Sequence, residues 1–254
     1  MKILLKISFL GTAYCGYQVQ DDKPTVQQAL NEVTQRVFGF RCDIVGCSRT
    51  DTGVHANEFY LTVSKHGEEG IEFTIPIEKI PIAMNSLLPP DISVISAQVV
   101  DESFHARYDV ELKEYEYRIW NGANKNPFTA DRELQHQYPI SDAMLANMNS
   151  AASFFVGTHD FTAFMAQGSK VTSTVRTVFY ADVRRDGERV IFRVAADGFL
   201  YNMVRIMAGT LIDVARGRFS PDEIGRIIET RDRSLAGATA PSCGLYLNKV
   251  SYKK

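Results

Sequence analysis

The residues best suited to chemistry lie in one short stretch, GCSRTDTGVHA, which runs from Gly46 to Ala56. It holds a single carboxylate, Asp51, two residues after the guanidinium of Arg49. Glycines such as Gly53 let the backbone turn tightly or a ligand approach closely. A lone acid beside a cation can serve as a nucleophile or a base, but it can equally cap a turn while the arginine pairs with a surface acid. The residue types alone leave both interpretations open.

The strands and helices that position this stretch can be predicted from the sequence pattern. Alternating apolar residues from Ile3 to Phe9 predict a strand with one buried face. A capping box at Thr25 and Gln28 opens a helix that ends at Gly39. Further strands are predicted at 41–46, 56–64, 92–100 and 111–120, and a helix interrupted by Pro81 at 76–88. Because Asp51 falls between two predicted strands, it lies on a connection, where functional groups are usually presented.

The second part of the chain repeats this mixture. A helix is predicted near 141–155, followed by a hairpin of strands 171–184 and 189–197. An apolar stripe that includes Val204 and Leu211 predicts a helix ending at Gly217, and a capping box with a proline at the first helical position starts another helix at Ser220. Hairpins mixed with helices favour an α+β fold with largely antiparallel sheets. We expect two similar α/β halves, residues 1–103 and 104–254.

Composition excludes several classes of protein. The 254 residues are 45% hydrophobic and 23% charged, as in an ordinary globular protein. No apolar run approaches the roughly 18 residues that span a bilayer, and the N-terminal segment reads as a strand, so we expect a cytoplasmic protein without a membrane partner. The net charge of −2 argues mildly against a polyanionic partner, although basic residues exceed acidic ones in residues 131–254.

Metal and cofactor sites are not predicted. The four cysteines have no C-x-x-C spacing, which favours buried or free thiols over disulfides. The five histidines are far apart, with no pair spaced to place two imidazoles on one helical face. No dinucleotide-binding motif is present. We therefore expect neither a metal nor a cofactor.

The stretch SRTDTGVHA resembles the G-R-T-D-x-G-V-H-A signature of the tRNA pseudouridine synthase A family. The resemblance covers almost the whole chain, through ISFLGTAYCGYQ, TVQQAL, FHARYDVELKEYEYRIWN, GTHDFTAF, GFLYNMVRIMAGTL and APSCGLYL. These motifs occur in the same order in the family. Six ordered matches beyond the signature make the resemblance very specific. It implies a pseudouridine-synthase-like fold with a central cleft and a homodimer that binds tRNA.

The implied reaction converts uridine to its C-glycoside isomer at positions thirty-eight to forty, in the anticodon arm of tRNA. Glycoside hydrolases normally need two carboxylates, one of which protonates the leaving group. Uracil leaves as a delocalised anion, so one carboxylate, Asp51, is sufficient. Asp51 could attack C1′ to form a glycosyl ester or remove the 2′ proton to give a glycal, and the sequence leaves both routes open.

Two further catalytic residues are implied by the resemblance. Exclusion of water raises the pKa of a carboxylate, so a nearby cation must oppose that shift. The match gives this role to Arg205, whose alternative is a solvated helix arginine. Tyr115 matches the first tyrosine of the family's Y-x-Y and is predicted to stack against uracil, whereas Tyr115 and Tyr117 could also be core tyrosines.

The substrate-binding group implied by the resemblance consists of Arg49, Thr50, His55 and Arg107. Arg49 is also a rival partner for Asp51, but we assign it to RNA, and Arg107 is a candidate phosphate contact. The chain departs from the family pattern at three positions, which puts substrate scope in doubt: Leu10, Tyr17 and Ser48 replace the usual aspartate, tryptophan and glycine.

Two other functions are kept as alternatives. A catalytically silent protein of the same fold would bind tRNA without isomerising uridine. A nucleosidase-like hydrolase that uses Asp51 would release free uracil and leave an abasic product. The synthase releases neither.

Overall fold

The computed structural model describes residues 1–68, 70, 75–168 and 171–253. The chain divides into two compact units, one formed by residues 1–111 and 247–254 and the other by residues 112–246. Strand pairing within the units is antiparallel apart from one short parallel pair. The prediction of an α+β chain with largely antiparallel sheets is confirmed. The division at residues 103/104, the similarity of the halves and the cleft stay predictions.

The helices and strands follow in chain order. In the first unit they are β1 Lys2–Phe9, α1 Val26–Phe38, β2 Cys42–Gly46, β3 His55–Lys65, α2 Ile80–Asn85 and β4 Ile92–Val100. Next come β5 Val110–Trp120, β6 Leu134–Gln135, α3 Asp142–Ser153, β7 Gly157–Asp160, β8 Val175–Asp186, β9 Arg189–Ala196, α4 Met203–Ala215 and α5 Glu223–Thr230. The last strand, β10 Leu245–Tyr252, returns the chain to the first unit.

In the first unit, β1 lies between β4 and β3, with antiparallel pairing on both sides. β2 pairs antiparallel with the second half of β3, and β10 also lies beside β3. The alternating residues of β1 are buried as predicted, with Ile3 and Leu5 fully covered. Leu4 on the opposite face is buried too. This interior strand therefore has more covered surface than the single face predicted.

Local signals set the ends of α1. The Oγ1 of Thr25 accepts a hydrogen bond from the backbone N of Gln28 at 3.3 Å, and Gly39 ends the helix with φ 77° in the left-handed region that favours glycine.

The predicted helix at 76–88 is shorter in the structure: a 3₁₀ turn over residues 77–79 leads into α2. Pro81 lies in the first turn of α2 and does not interrupt it, because proline lacks only an N–H that is unpaired there.

The sheet of the second unit has the order β5-β9-β8-β7, and β6 adds a parallel pair to β5. Helix α3 packs against β8 and α4. The predicted hairpin is present, although β8 begins at Val175 and not at residue 171. The predicted capping contact at Ser220 is present, since the Glu223 side chain turns back to accept from the backbone N and Oγ of Ser220. The helix itself starts later than predicted, because α5 begins at Glu223 and not at Pro221.

Helix α4 is a core helix. Twelve of its thirteen residues, all of which the structure describes, are buried, and Arg205 is the exception. The sequence predicted one apolar stripe, but α3, the 3₁₀ turn over residues 162–164 and the connection at residues 237–240 leave little of the helix exposed. A charged residue on such a helix needs polar partners, since burying an unpaired charge is costly.

Candidate active site

The connection from β2 to β3, residues 47–54, carries Asp51. The backbone N of Cys47 donates to Tyr60 O at 2.8 Å where the connection leaves β2. A turn follows, in which Val54 N donates to Asp51 O at 3.1 Å and Gly53 has φ 77°. Asp51 is half-buried. The prediction that Asp51 lies on a connection between two strands is confirmed.

A second segment, residues 11–17, holds this connection through its backbone. Tyr17 N donates to Thr50 O at 3.1 Å, and Gly53 N donates to Tyr14 O at 3.3 Å. Gly16 has φ 89°, and a Cβ there would lie 2.6 Å from Thr50 O. Glycine is required at this position both for its backbone conformation and for the close approach. The backbone beside Asp51 therefore has a fixed path.

Gly11 and His55 support the same connection. A Cβ on Gly11 would lie 2.0 Å from Val54 O, so the two backbone segments are in direct contact. Gly11 N donates to Nδ1 of His55 at 2.9 Å, and the His55 side chain has no exposed surface. An accepting Nδ1 leaves the proton of a neutral imidazole on Nε2. The assignment of His55 to substrate binding stays a prediction, since what the structure gives it is a supporting contact.

The other predicted substrate-binding residues differ in exposure. Arg49 is exposed, whereas Thr50 is buried and its Oγ1 has no hydrogen-bond partner among the described residues. A buried hydroxyl without a partner is costly, which makes Thr50 Oγ1 a candidate contact for a ligand. Arg107 is exposed, and its guanidinium lies 5.8 Å from the ring centroid of Tyr108. An exposed pair of this kind can contact phosphate and base together.

The three residues that depart from the family pattern lie in different environments. Tyr17 is buried and stacks on Phe59 with ring centroids 4.3 Å apart. A Cβ on Gly46 would lie 2.6 Å from this ring, so the glycine of the signature stretch makes room for it. Leu10 is 37% exposed, and Ser48 is half-buried. Only Tyr17 is part of the packing beneath the Asp51 connection.

Tyr115 and Arg205 belong to the second unit. Tyr115, on β5 opposite Val194, is buried, and its ring makes an edge contact with Phe199 at 5.1 Å between centroids. Tyr117 shares its face but is fully buried. Its hydroxyl donates to Pro241 O at 2.7 Å, and burial raises its pKa well above the usual value. Of the two tyrosines, Tyr117 is therefore a core residue.

The guanidinium of Arg205 donates hydrogen bonds to two acceptors of its own unit. Nε donates to Ala240 O at 2.7 Å, and Nη1 donates to Asn202 Oδ1 at 2.8 Å. The half-buried side chain is thus held by protein acceptors, which makes the alternative of a solvated helix arginine wrong.

The supporting residues Gly11, Tyr14 and Gly16 were not among the predicted site residues, although they lie in the motif ISFLGTAYCGYQ. Paired glycines around tyrosines were the available signal, because they indicate close backbone approach. Tyr14 itself donates through its hydroxyl to Asp91 at 2.7 Å, and burial together with this carboxylate raises its pKa. No signal for the contacts of Asn202 or Ala240 was available in the local sequence.

The described part of the chain lacks the features of membrane proteins and of clustered metal sites. None of the helices there has the length and apolar character needed to span a bilayer. Among those same residues, no group of three or more His, Cys, Asp or Glu side chains is arranged to hold a metal ion.

The chain is similar to known proteins over nearly its full length. A family model described as tRNA pseudouridine synthase matches residues 151–253. Proteins named tRNA pseudouridine synthase A from Thermoanaerobacter sp. (strain X514) and Anoxybacillus flavithermus are 41% and 42% identical, covering 98% and 99% of this chain and 99% and 98% of their own. The one from Bacillus pumilus is 42% identical, with 99% of each chain covered. A solved Cbf5-Nop10-Gar1 complex aligns at 14% identity with a TM-score of 0.38, covering 96% of this chain and 48% of that one, which is too distant to carry an argument.

Proposed function

This chain belongs to the tRNA pseudouridine synthase A family, and we propose that it isomerises uridine to pseudouridine in the anticodon arm of tRNA, at positions thirty-eight to forty. The observation that carries the proposal is 41% identity over 98% of the chain to a protein named tRNA pseudouridine synthase A. The position in the anticodon arm rests on the family resemblance of the motifs. The aspartate-containing signature between β2 and β3 lies within the aligned length. We place the activity in the cytoplasm, with a homodimer as the acting species.

Asp51 is the catalytic carboxylate in this proposal. The reaction breaks the bond from C1′ to N1 of uracil and forms one from C1′ to C5. C5 loses its proton and N1 gains one, so there is no net addition or removal. Because uracil departs as a stabilised anion, no second acid is required to protonate it, in contrast to glycoside hydrolysis. The fixed backbone path through Thr50 and Gly53 supports this role, since a nucleophile or base must be held in one geometry.

Tyr115 and Arg205 complete the proposed catalytic group. Tyr115 stacks on the uracil that has left the RNA helix, replacing the stacking lost on flipping. Arg205 pairs with the carboxylate of Asp51 and keeps it ionised in a site that excludes water. The two hydrogen bonds that Arg205 makes to Asn202 and Ala240 support this role, because they hold the cation in a defined orientation.

The remaining predicted residues bind RNA. Arg49 and Arg107 are exposed cations suited to phosphate, which gives affinity without reading sequence. Thr50 offers its unpaired Oγ1 to the flipped nucleotide. For His55 we propose an indirect part: it holds Gly11, and through Gly11 the connection that carries Asp51.

The test is to map pseudouridine in unmodified tRNA incubated with the purified protein. We expect new pseudouridine in the anticodon arm and no free uracil. Binding without any isomerised uridine would favour the catalytically silent alternative, and release of uracil with an abasic product would favour the hydrolase. Pseudouridine found only outside the anticodon arm would contradict the proposed position while keeping the reaction.

A further inference from the structure

Helix α4 begins at a residue with an unusual conformation. Asn202, its N-cap residue, has φ 59° and ψ 9°, in the left-handed region that asparagine enters more readily than most residues. An asparagine at this position usually caps its own helix by accepting from a backbone N–H in the first turn. Asn202 makes no such bond within α4, whose residues are all described. Its Oδ1 accepts from Arg205 Nη1 instead, at 2.8 Å.

A connecting segment, residues 237–241, supplies the second acceptor, and we call it the strap. Ala240 O accepts from Arg205 Nε at 2.7 Å, while Ala240 N donates to the backbone O of Arg205 at 3.0 Å. Both backbone groups of Ala240 are therefore bonded to one residue. The guanidinium is planar, so acceptors on Nε and on Nη1 together fix its orientation.

The strap is held against α4 by contacts that do not involve Arg205. A Cβ on Gly209 would lie 1.8 Å from Ala238 O, so only glycine allows this approach. Gly237 N donates to Thr210 Oγ1 at 3.0 Å, and both groups are buried. The strap thus lies directly on the α4 backbone.

Other elements hold the strap from different directions. Arg233 donates through Nη1 to Gly237 O at 3.0 Å and through Nη2 to Thr239 Oγ1 at 3.3 Å. Tyr117, on β5, donates to Pro241 O at 2.7 Å. Because these bonds fix the strap on their own, the carbonyl of Ala240 is already in place when Arg205 bonds to it.

We infer that Asn202 and the strap are positioning groups for catalysis, which orient the Arg205 guanidinium and act on the reaction only through it. The inference rests on the proposed role of Arg205. It adds that the left-handed backbone at Asn202 serves the arginine and not the helix, since the side chain leaves the helix end uncapped. A structural role for Asn202 in capping α4 would instead place its oxygen on a backbone N–H.

The test compares Asn202→Gly with the wild type. Glycine keeps the left-handed backbone and removes only the acceptor. Loss of one hydrogen bond to a charged group should lower kcat by about tenfold while KM for tRNA stays within about twofold. Asp22→Gly is the matched control, because Asp22 is exposed, has φ 55° and has no assigned role. We expect the control to keep the wild-type kcat, and both variants to keep a cooperative thermal transition.

A double-mutant cycle decides whether Asn202 acts through Arg205. If it does, adding Asn202→Gly to Arg205→Met changes the single-turnover rate by less than about twofold. An equal loss in both backgrounds, or an Asn202→Gly enzyme with the wild-type kcat, would overturn the inference. A fully active Arg205→Met enzyme would instead refute the proposed role of Arg205 itself, so the two failures are distinguishable.

Discussion

Arg205 differs from every other residue of α4 in exposure, being the only one of the thirteen that is not buried. Two of its partners, a side-chain amide and a main-chain carbonyl, are neutral acceptors. Neutral acceptors orient a guanidinium without cancelling its charge. These two bonds give the guanidinium a defined orientation, which is what the proposed role requires.

Replacing Arg205 by methionine should abolish most of the activity. Removing one partner of a buried ion pair typically costs about 3 to 5 kcal/mol, which corresponds to a loss in kcat of about two to four orders of magnitude. Residual activity should require a higher pH, since a carboxylate without its cation protonates more readily. Arg205→Lys should recover only part of the rate, because an ammonium lacks the planar fork of guanidinium. Unchanged kcat and pH profile in Arg205→Met would show that the cation is elsewhere, with Arg49 the next candidate.

A second residue, His136, is expected to make a contribution to stability that depends on pH. It is buried, and burial, with the charge of Arg216 as a smaller cause, lowers its pKa from 6.5. Below pH 6.5 the unfolded chain therefore binds a proton that the folded chain does not. The contribution of His136 to stability is therefore fully present above pH 6.5 and should fall by up to about 1.4 kcal/mol per pH unit until the folded-state pKa is reached. Urea unfolding between pH 7.5 and 5 should show a smaller decrease in His136→Gln. Parallel decreases in both proteins would contradict this.

The element that determines the position of Asp51 is the backbone of residues 11–17. Gly16→Ala should destabilise the protein and lower kcat, because the new Cβ meets Thr50 O at 2.6 Å and the residue keeps φ 89°. Gly39→Ala is the matched control: it has φ 77°, and a Cβ there meets nothing within 4 Å. The control should lose about 1 to 2 kcal/mol from its backbone conformation alone and keep its activity. The free energy of unfolding and kcat are the measurements, and equal losses in the two variants would mean that the contact with Thr50 is unimportant.

Elements with local signals were the predictable part of the fold. Helix α1 could be predicted because both its cap at Thr25 and its end at Gly39 depend on neighbours in sequence. The start of α5 was placed too early: Ser220 and Glu223 do interact as predicted, but the helix begins only at Glu223. Strand β10 was not predicted as an element, since its pairing depends on residues far away in the chain. The strap was missed for the same reason: its glycines are explained only by their contact with α4.

At the scale of the whole molecule, the ordered sequence motifs were enough to predict the family and the candidate site residues. They were not enough to predict which other residues hold those site residues in place. The burial of His55, the unpaired hydroxyl of Thr50 and the acceptors of Arg205 depend on three-dimensional packing. Their residue types are compatible with many environments, so only the folded chain distinguishes them.

The purified protein should work without an added metal. The proposed reaction is neither a redox reaction nor a hydrolysis, and its catalytic groups are side chains. Treatment with EDTA followed by dialysis should leave the rate of pseudouridine formation unchanged when the tRNA has been folded beforehand. If one divalent ion restored activity lost on chelation, and did so without altering the tRNA fold, the account of catalysis would be wrong.

The central claim is that the carboxylate of Asp51 carries the isomerisation, and the Asp51→Asn enzyme tests it most directly. The measurement is pseudouridine formed in a single turnover with excess enzyme, together with the affinity for tRNA. Asp43→Asn serves as the control, since Asp43 is an exposed acid on β2 that pairs with His66. We expect Asp51→Asn to fold and bind tRNA but to form no pseudouridine, because an amide can neither attack C1′ nor remove the 2′ proton, while Asp43→Asn retains activity. Appreciable pseudouridine from pure Asp51→Asn protein would contradict the claim.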